Sequence, residues 1–375
     1  ISVTGVQTCA LPIYTGAAIV SELQKWRPGR INSLVYTHGH IDHVGGSGAF
    51  AAHNTGNGHA PLRVIGHENV QRRFDRYRST EAWNILINAR QFGGVRDDLG
   101  MTNDLRPAGG GQRLPFFLPP DTADVSDVVG NFSSMTFGDE TIEFHHGKGE
   151  TDDHLWSWFP NKKWVATGDF VIWNFPNAGN PQKVQRWPIE WAQTLRKIAA
   201  KEPELLLPAH GLPIAGKERI ARVLDDIATA LENLVRDVVA MMNNGATLDE
   251  IIHTVRVPAD TLALPYLRPL YDEPEFVVRG VWRQFGGWWD GAPSRLKPAP
   301  DAQVGAELAH LSGGADVLAR RAKELAEAGE LRLACHLADF AGWAEPNNPE
   351  VHAVRAAVYE IRRKHETSQI GRAHV

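Results

Sequence analysis

The sequence has few cysteines, no basic run and no long apolar run, and each absence excludes a class of protein. It contains 2 cysteines among 375 residues, too few for a disulfide framework or a thiolate metal cluster. No stretch approaches the roughly 20 consecutive apolar residues that a membrane-spanning helix needs. Lysine and arginine form no long run and the formal net charge is −5, so no nucleic-acid groove or polybasic membrane patch is expected. The chain is therefore expected to be soluble, with a small molecule or a protein as its partner.

The two ends of the chain differ in character from the rest. The stretches VTGVQTCALPI and IGRAHV resemble the translation of a common sequencing adapter and of its complement, so residues 1–13 and 370–375 are expected to lie outside the fold. Cys9 falls in the first of these segments, which leaves Cys335 as the single native cysteine. Because no native start before Tyr14 is visible, the compartment stays open between the cytoplasm and the periplasm of a bacterium.

Apolar periodicity predicts alternating helices and strands over the first two thirds of the chain. Strands are predicted at 31–36, 61–67, 134–139, 140–147, 154–160, 162–170 and 204–210. Helices are predicted from Ala17 to Leu23 and at 45–54, 67–78, 189–200 and 217–242. Residues 95–130 are rich in Gly, Pro and Asp, which predicts a long loop or lid. Beyond a Pro-rich linker at 291–300, the pattern predicts antiparallel helical hairpins to the end.

Four side chains that metals favour lie within six positions, directly after the first predicted strand. The stretch THGHIDHVGG contains His38, His40, Asp42 and His43. A loop that follows a buried strand is held by the sheet while its side chains point into a crevice. His38 and His40 can converge on one ion, whereas Asp42 and His43 can turn toward a second. Imidazole and carboxylate ligands without thiolate favour zinc over manganese or iron. The alternative is a polar loop whose histidines bond backbone groups.

The stretch THGHIDHVGG resembles the signature of the metallo-β-lactamase superfamily, whose α/β fold is a four-layer αβ/βα sandwich with one or two metals at the sheet edge. The resemblance implies further ligands at later strand ends. These are Asp169 of GDF, as a bridging carboxylate, and His210 of LLPAHG. For the mid-chain ligand the stretch ETDDHL offers Glu150, while His154 stays open as the alternative ligand or as a neighbouring proton carrier.

The C-terminal part resembles the helical dimerisation domain of the alkylsulfatase branch, from YDEPEFVVRGVWRQFGGWWDG through ADVLARRAKELAEAGELRLACHLADFAGWAEP. This resemblance implies a catalytic domain at 14–270, an all-α domain at 271–369 and a homodimer formed through the C-terminal helices. It also implies two hairpins ahead of the first helix. The sandwich is therefore expected to be N-terminally truncated, with an exposed sheet edge.

The implied activity is hydrolysis of sulfate esters on alkyl chains, with two divalent metal ions, expected to be zinc, and a hydroxide between them as nucleophile. His38, His40 and Glu150 would hold one ion, Asp42, His43 and His210 the other, and Asp169 would bridge them. Asp42 would also orient the water, and His154 or a group on the 174–186 loop would protonate the leaving group.

Substrate contacts are expected from residues near these ligands. Lys148, Lys183 and Arg186 are candidate anion contacts, and Trp173, Asn174 and the other aromatics of 170–175 would line an apolar slot, unless those aromatics are ordinary core. Asp169 stands where the alkylsulfatases have Glu, and the stretch FVIWNFPNAGNPQK lacks their T-H-T-L-H-N-like segment. Other esters, lactones or phosphoesters therefore stay as alternative substrates. A non-catalytic dimeric binding protein is the alternative of another class.

Overall fold

The computed structural model describes residues 12–92, 95–96, 100–101 and 116–375. Contacts divide the chain into two compact units. The first unit comprises Ile1–Ala246 with Glu250–Gly287, and the second comprises Thr247–Asp249 with Trp288–Val375. The predicted domain limits stay predictions. Residues 1–11 of the predicted N-terminal extension lie outside the described residues.

The strands and helices, numbered in chain order, follow from the apolar patterns of the sequence. The strands are β1 (Ser33–Val35), β2 (Arg63–His67), β3 (Val95–Arg96), β4 (Gly100–Met101), β5 (Asp127–Val129), β6 (Phe132–Phe137), β7 (Glu140–Gly147), β8 (His154–Phe159), β9 (Trp164–Gly168), β10 (Leu205–Pro208) and β11 (Ile214–Ala215). The helices are α1 (Pro12–Trp26), α2 (Ile41–Val44), α3 (Ser47–Gly56), α4 (Glu68–Ser79), α5 (Glu81–Phe92), α6 (Pro188–Ala199), α7 (Lys217–Asn243), α8 (Leu248–Thr254), α9 (Ala259–Ala263), α10 (Pro274–Gly286), α11 (Pro293–Leu296), α12 (Asp301–Ser312), α13 (Ala315–Glu327), α14 (Leu331–Ala344), α15 (Pro349–His365) and α16 (Gln369–His374).

Two sheets pack face to face in the first unit. One has the order β1-β2-β5 with parallel pairing, and the other has the order β11-β10-β9-β8-β7-β6, in which only β9 and β10 pair in parallel. Ile65 and Val129 of the smaller sheet pack against Phe144 and Leu155 of the larger one. Strand β8, HLWSWF, is buried along its whole length because both of its faces are covered.

Helices cover the outer faces of both sheets. Val70 and Phe74 of α4 share one core with Tyr36 and Val64, next to the smaller sheet. On the larger sheet, α6 comes so close to β7 that a Cβ on Gly147 would lie 2.5 Å from the hydroxyl of Thr194. The order of layers is helix, sheet, sheet, helix. The predicted αβ/βα sandwich is thus confirmed.

One predicted element differs from the structure. The predicted loop or lid at 95–130 contains the strand β5, and Phe117 and Leu118 are buried in the core beside α4. Burial of Phe117 and Leu118 removes apolar surface from water, which favours contact of this part of the Gly- and Pro-rich segment with the core. Residues 97–99 and 102–115 of that prediction lie outside the described residues. Helix α5 was not predicted.

The second unit is helical, as predicted. Helices α13, α14 and α15 bury Ala322, Leu325, Ala334 and Val358 in one cluster. Small residues let the helices approach closely, since a Cβ on Gly305 of α12 would lie 2.8 Å from a carbonyl oxygen of α14. Helix α16 overlaps the predicted extension at 370–375 and buries Ile370. In the described part of the chain, no helix is both long enough and apolar enough to cross a membrane.

Candidate metal centre

The ends of four strands meet at one edge of the sandwich. The backbone N–H of Leu155 in β8 donates to the carbonyl of Thr37, which follows β1, at 2.6 Å. Strand β9 ends at Gly168, whose φ of +55° is a left-handed conformation that glycine adopts without strain. A Cβ at this position would lie 2.2 Å from Nε2 of His154. The close approach of this glycine brings Asp169 beside the loop that follows β1.

The structure brings together all seven residues proposed as metal ligands, and we call them the ligand cluster. They form two groups, in each of which one donor atom per residue lies within 4.8 Å of the others. The first group is His38, His40, Glu150 and Asp169, and the second is Asp42, His43 and His210. Their roles as ligands stay a proposal.

Asp169 faces both groups through its two carboxylate oxygens. Its Oδ2 lies 3.7 Å from Nε2 of His38, in the first group. Its Oδ1 lies 3.4 Å from Nε2 of His43 and 3.4 Å from Nε2 of His210, in the second. Within the second group, Oδ2 of Asp42 is 3.3 Å from Nε2 of His43. The placement of one oxygen in each group is the arrangement that a bridging carboxylate needs.

The spacing of the donor atoms fits divalent cations. Tetrahedral ligands about 2.0–2.2 Å from zinc lie about 3.3–3.6 Å from one another. The His40 Nδ1 to Glu150 Oε1 distance is 3.6 Å, and the His210 Nε2 to Asp42 Oδ2 distance is 3.4 Å. One pair is closer, since His38 Nε2 and His40 Nδ1 are 2.9 Å apart. These nitrogen and oxygen donors suit zinc and also the other divalent ions that imidazole and carboxylate bind.

The rings of two histidines are held by one hydroxyl. The Oγ1 of Thr37 lies 3.2 Å from Nδ1 of His38 and 3.3 Å from Nδ1 of His43. Each ring therefore directs its Nε2 into the ligand cluster. Such hydrogen bonds on the far nitrogen of a ligating histidine fix its tautomer and its orientation.

Burial and mutual charge set the protonation of the cluster. Burial lowers the pKa of His38 well below its usual range, and the neighbouring His43 and His40 lower it further. Burial likewise lowers the pKa of His40, aided by Arg186. Both imidazoles are therefore neutral at pH 7, which is the form that binds a metal.

The pKa values of two other cluster residues, His43 and Glu150, are raised. Burial alone would lower the pKa of His43. The negative charges of Asp169 and Asp42 outweigh this effect and raise the pKa to about 10. Burial raises the pKa of Glu150 to about 8, against the attraction of Arg186 and with the repulsion of Asp169. At pH 7, His43 and Glu150 therefore each keep a proton close to the carboxylate of Asp169. A divalent cation would take over that role of balancing their charge.

Glu150 is held by two neighbours besides the ligand cluster. Nη1 of Arg186 lies 2.6 Å from its Oε1 and donates to its backbone oxygen at 2.9 Å. Nδ2 of Asn177 donates to the same Oε1 at 2.5 Å. Arg186 was predicted as an anion contact, but the structure places it, only 3% exposed, against this carboxylate. Asn177 was missed because nothing in its sequence context distinguishes it.

The loop between His38 and His40 is anchored from α4. Oδ2 of Asp153 accepts the backbone N–H of Gly39 at 3.0 Å. The same carboxylate pairs with the guanidinium of Arg73, through Nε at 2.7 Å and Nη2 at 3.1 Å. A Cβ on Gly39 would lie 2.8 Å from Cδ of Arg73. This ion pair was not predicted from the sequence, in which Asp153 and Arg73 lie 80 residues apart.

His154 lies behind the ligand cluster and outside its two groups. Its ring stacks on His38 at 4.7 Å and on Phe170 at 4.2 Å between centroids, and it is fully buried. Its Nε2 accepts the backbone N–H of Asp169 at 3.2 Å. Burial lowers the pKa of His154 to about 4, so the ring is neutral at pH 7. Of the two open candidates for the mid-chain ligand, only Glu150 reaches the cluster.

The predicted substrate contacts are spread over several surroundings. Lys148 is exposed and lies over the ring of Trp187, with its Nζ 5.7 Å from the ring centre. Trp173 has a φ of +54°, and its indole N–H donates to the carbonyl of Leu212 at 2.8 Å, beside the His210 segment. The amide of Asn174 donates to the carbonyl of Ile172 at 3.3 Å.

The aromatics of 170–175 divide between core and site. Phe170 and Phe175 are 1% and 0% exposed, so they are core residues, which was the alternative left open. Trp173 alone of these aromatics is half-buried.

Lys183, on the loop before α6, contacts a layer of polar side chains on α5 that was not predicted from the sequence. Its Nζ donates to Oδ1 of Asn88 at 3.2 Å. Gln91 lies one turn further along the same helix and donates to the hydroxyl of Tyr271. The sequence does carry a signal for this layer, since Asn84, Asn88 and Gln91 recur at spacings of four and three on one helical face.

Family models match both parts of the chain. The model of the metallo-beta-lactamase superfamily matches residues 14–210, which is more than half of the chain, and the model described as alkyl sulfatase dimerisation matches residues 247–374. Both resemblances predicted from the sequence are confirmed.

Among curated proteins, a linear primary-alkylsulfatase from a Pseudomonas species is 26% identical over 331 residues, covering 86% of this chain and 61% of the relative. An (R)-specific secondary-alkylsulfatase from a Pseudomonas species is 28% identical over 186 residues, covering 49% of this chain and 28% of the relative. The chain thus spans less than two thirds of the length of these relatives. A solved structure of a stereoselective inverting sec-alkylsulfatase from a Pseudomonas species has a TM-score of 0.80 and 22% identity, over 95% of this chain and 57% of that one. That likeness shows the fold.

Proposed function

The chain belongs to the metallo-β-lactamase superfamily, and from this premise we propose that it is a metal-dependent hydrolase of sulfate esters carried on alkyl chains. The observation that carries the proposal is the ligand cluster, whose two groups share Asp169 between them. The curated relatives named as alkylsulfatases support the choice of sulfate over other esters. The helical part supports a homodimer, in which the helices of 271–369 would form the interface.

His38, His40, Glu150 and Asp169 would hold one divalent ion, and Asp42, His43, His210 and Asp169 the other, with zinc as the expected metal. When bound, such ions supply a hydroxide nucleophile at neutral pH and offset the charge that develops on the ester oxygens. The chain's own residues fix the geometry for this chemistry. Thr37 orients two imidazoles, and Arg186 and Asn177 hold the carboxylate of Glu150. Asp42 would orient a water.

His154 has a positioning role in this proposal, in place of the proton transfer expected from the sequence. Its Nε2 accepts the N–H of Asp169, so a neutral ring carries its proton on Nδ1, which is buried away from solvent. It thereby fixes the backbone of the bridging carboxylate. A group that protonates a leaving oxygen has to reach the substrate, and a ring behind His38 does not.

The test is release of sulfate by the zinc-loaded protein from a panel of primary and secondary alkyl sulfates, with lactones and phosphodiesters in parallel. Asp169→Asn is expected to abolish turnover because it weakens the shared ligand. Asp75→Asn, a matched change at an exposed residue paired with Arg78, is expected to keep it. Turnover of lactones or phosphodiesters alone would favour the alternative hydrolases. No turnover of any substrate, with a dimer by light scattering, would favour a non-catalytic binding protein.

A further inference from the structure

Trp173 has a backbone conformation that its residue type disfavours. Its φ is +54°, in the left-handed region, where a Cβ crowds the backbone and glycine is the usual residue. In the part of the chain that the structure describes, two other non-glycine residues have a positive φ, Lys163 and Glu202. Lys163 lies in the turn between β8 and β9, and Glu202 follows the end of α6, which are ordinary places for this conformation. Trp173 lies in neither kind of turn, so other contacts have to hold it there.

The indole of Trp173 makes those contacts with the segment that follows β10. Its Nε1–H donates to the carbonyl oxygen of Leu212 at 2.8 Å. Its ring covers the backbone of Gly211, since a Cβ on that glycine would lie 2.1 Å from Cδ1 and 2.6 Å from Cγ of the indole. The ring therefore occupies the space that a side chain at 211 would need, directly after His210.

The segment that carries Trp173 is anchored in the core on both sides. The buried Phe170 accepts the indole N–H of Trp191 on its backbone oxygen at 3.1 Å. The buried Phe175 donates its backbone N–H to a carbonyl oxygen between α9 and α10 at 3.0 Å. Asp169, whose carboxylate faces both ligand groups, lies four residues before Trp173 in the same segment. The indole thus has a fixed base beside the end of β9.

His210 is the most exposed histidine of the ligand cluster. Its side chain is 24% exposed, compared with 19% for His40 and 3% or less for the other two. Packing therefore restrains it least. Its backbone is tied on one side, where the N–H of Ala209 donates to the carbonyl of Gly168 at 3.0 Å, and on the other side by Trp173. Both ties run to the segment at the end of β9.

We propose that Trp173 is a positioning residue that clamps the segment 210–212 onto the segment after β9, and so assembles the second group of the ligand cluster. The inference rests on the proposed function, because it concerns how His210 meets the other proposed ligands. Its Nε2 lies 3.4 Å from Oδ2 of Asp42 and 3.4 Å from Oδ1 of Asp169.

The three donors of this contact come from the ends of three different strands, β1, β9 and β10. The approach of the β10 end to the other two therefore decides whether one ion can bind all three. Loss of the indole would release the segment 210–212, and with it His210. The first group, His38, His40, Glu150 and Asp169, includes no residue of that segment, so its ion should be unaffected.

The test is stepwise zinc binding by the metal-free protein, measured by competition with a chromophoric chelator and independently of turnover. Trp173→Gly removes the indole and leaves a residue that adopts the left-handed backbone without strain. We expect one zinc ion to bind about 10- to 100-fold more weakly in this variant, with the affinity for the other ion unchanged. Trp173→Phe keeps a ring over Gly211 and loses the N–H donor, so a severalfold loss for the same ion is expected.

Two further variants show whether the effect runs through His210. His210→Ala should weaken the same ion, and Trp173→Gly should cause no further loss in that background, because the two changes remove one contribution. Trp289→Phe is the matched control. Its indole N–H also donates to a backbone carbonyl, that of Ala292 at 2.9 Å, but it lies in the second unit, which holds no residue of the ligand cluster. Both zinc affinities should equal those of the wild type there.

Zinc affinities in Trp173→Gly that equal those of the wild type would overturn the inference. An equal weakening of both ions, the same loss in Trp289→Phe, a further loss on top of His210→Ala, or a wild type that binds fewer than two zinc ions would each overturn it as well. Hydrolysis of alkyl sulfates by the wild type with unchanged zinc affinities in Trp173→Gly would remove the inference and keep the proposed function. The expected zinc affinities in a protein that hydrolyses no alkyl sulfate would do the reverse.

Discussion

Replacing Arg73 by leucine is expected to destabilise the first unit and to weaken metal binding in the same variant. The side chains of Arg73 and Asp153 are 2% and 0% exposed, and they are joined by two hydrogen bonds. Burial alone would raise the pKa of Asp153, but the guanidinium of Arg73 lowers it from 3.8 to about 2. Leucine at 73 would leave that carboxylate buried without its cation.

The magnitude follows from the pKa and from the burial. A carboxyl whose pKa falls from near 4 to near 2 contributes about 2 to 3 kcal/mol to folding at neutral pH. Loss of one partner of a buried pair costs about 3 to 5 kcal/mol. We therefore expect Arg73→Leu to lower the free energy of unfolding by about 3 kcal/mol at pH 7. Because the folded-state pKa of Asp153 lies below its unfolded value, this contribution is present above about pH 4 and is lost as the pH falls through 2.

Urea unfolding of the wild type, Arg73→Leu, Asp153→Asn and the double variant measures this energy as a double-mutant cycle. The pair is expected to show strong coupling, whereas Arg78→Leu, which breaks the exposed ion pair with Asp75, should cost less than about 1 kcal/mol. Single-variant losses that simply add in the double variant would refute the reasoning. Since Asp153 also holds the N–H of Gly39, zinc affinity by dye competition should fall about 10- to 100-fold.

Three further substitutions test separate parts of the structure. Gly168→Ala places a Cβ 2.2 Å from Nε2 of His154 at a φ of +55°, so the thermal midpoint and the zinc content should both fall, and unchanged zinc content would contradict the role of this turn. Asp169→Asn should lower zinc content with little change in the far-UV spectrum, since it removes charge and keeps shape. Asn348→Ala removes the cap that accepts the N–H groups of Glu350 and Val351 at the start of α15, and should cost about 1 kcal/mol in urea unfolding.

The local part of the site could be predicted from the sequence because its residues are close in the chain. His38, His40, Asp42 and His43 follow a predicted strand directly, and strand ends are where a sheet holds side chains at its edge. The remote members, Glu150 and His210, needed the family resemblance. Short-range periodicity carries no information about which strand ends meet, since that depends on the order of strands in the two sheets.

The polar layer on α5 shows where pattern reasoning fails for a physical reason. An amphipathic helix is expected to bury its apolar face, which would place Trp83 and Leu86 inside. The structure buries Asn88 and Gln91 beside Ile87, because their amides have partners in Lys183 and Tyr271 on segments far away in the chain. Partners at such separation cannot be read from a helical pattern.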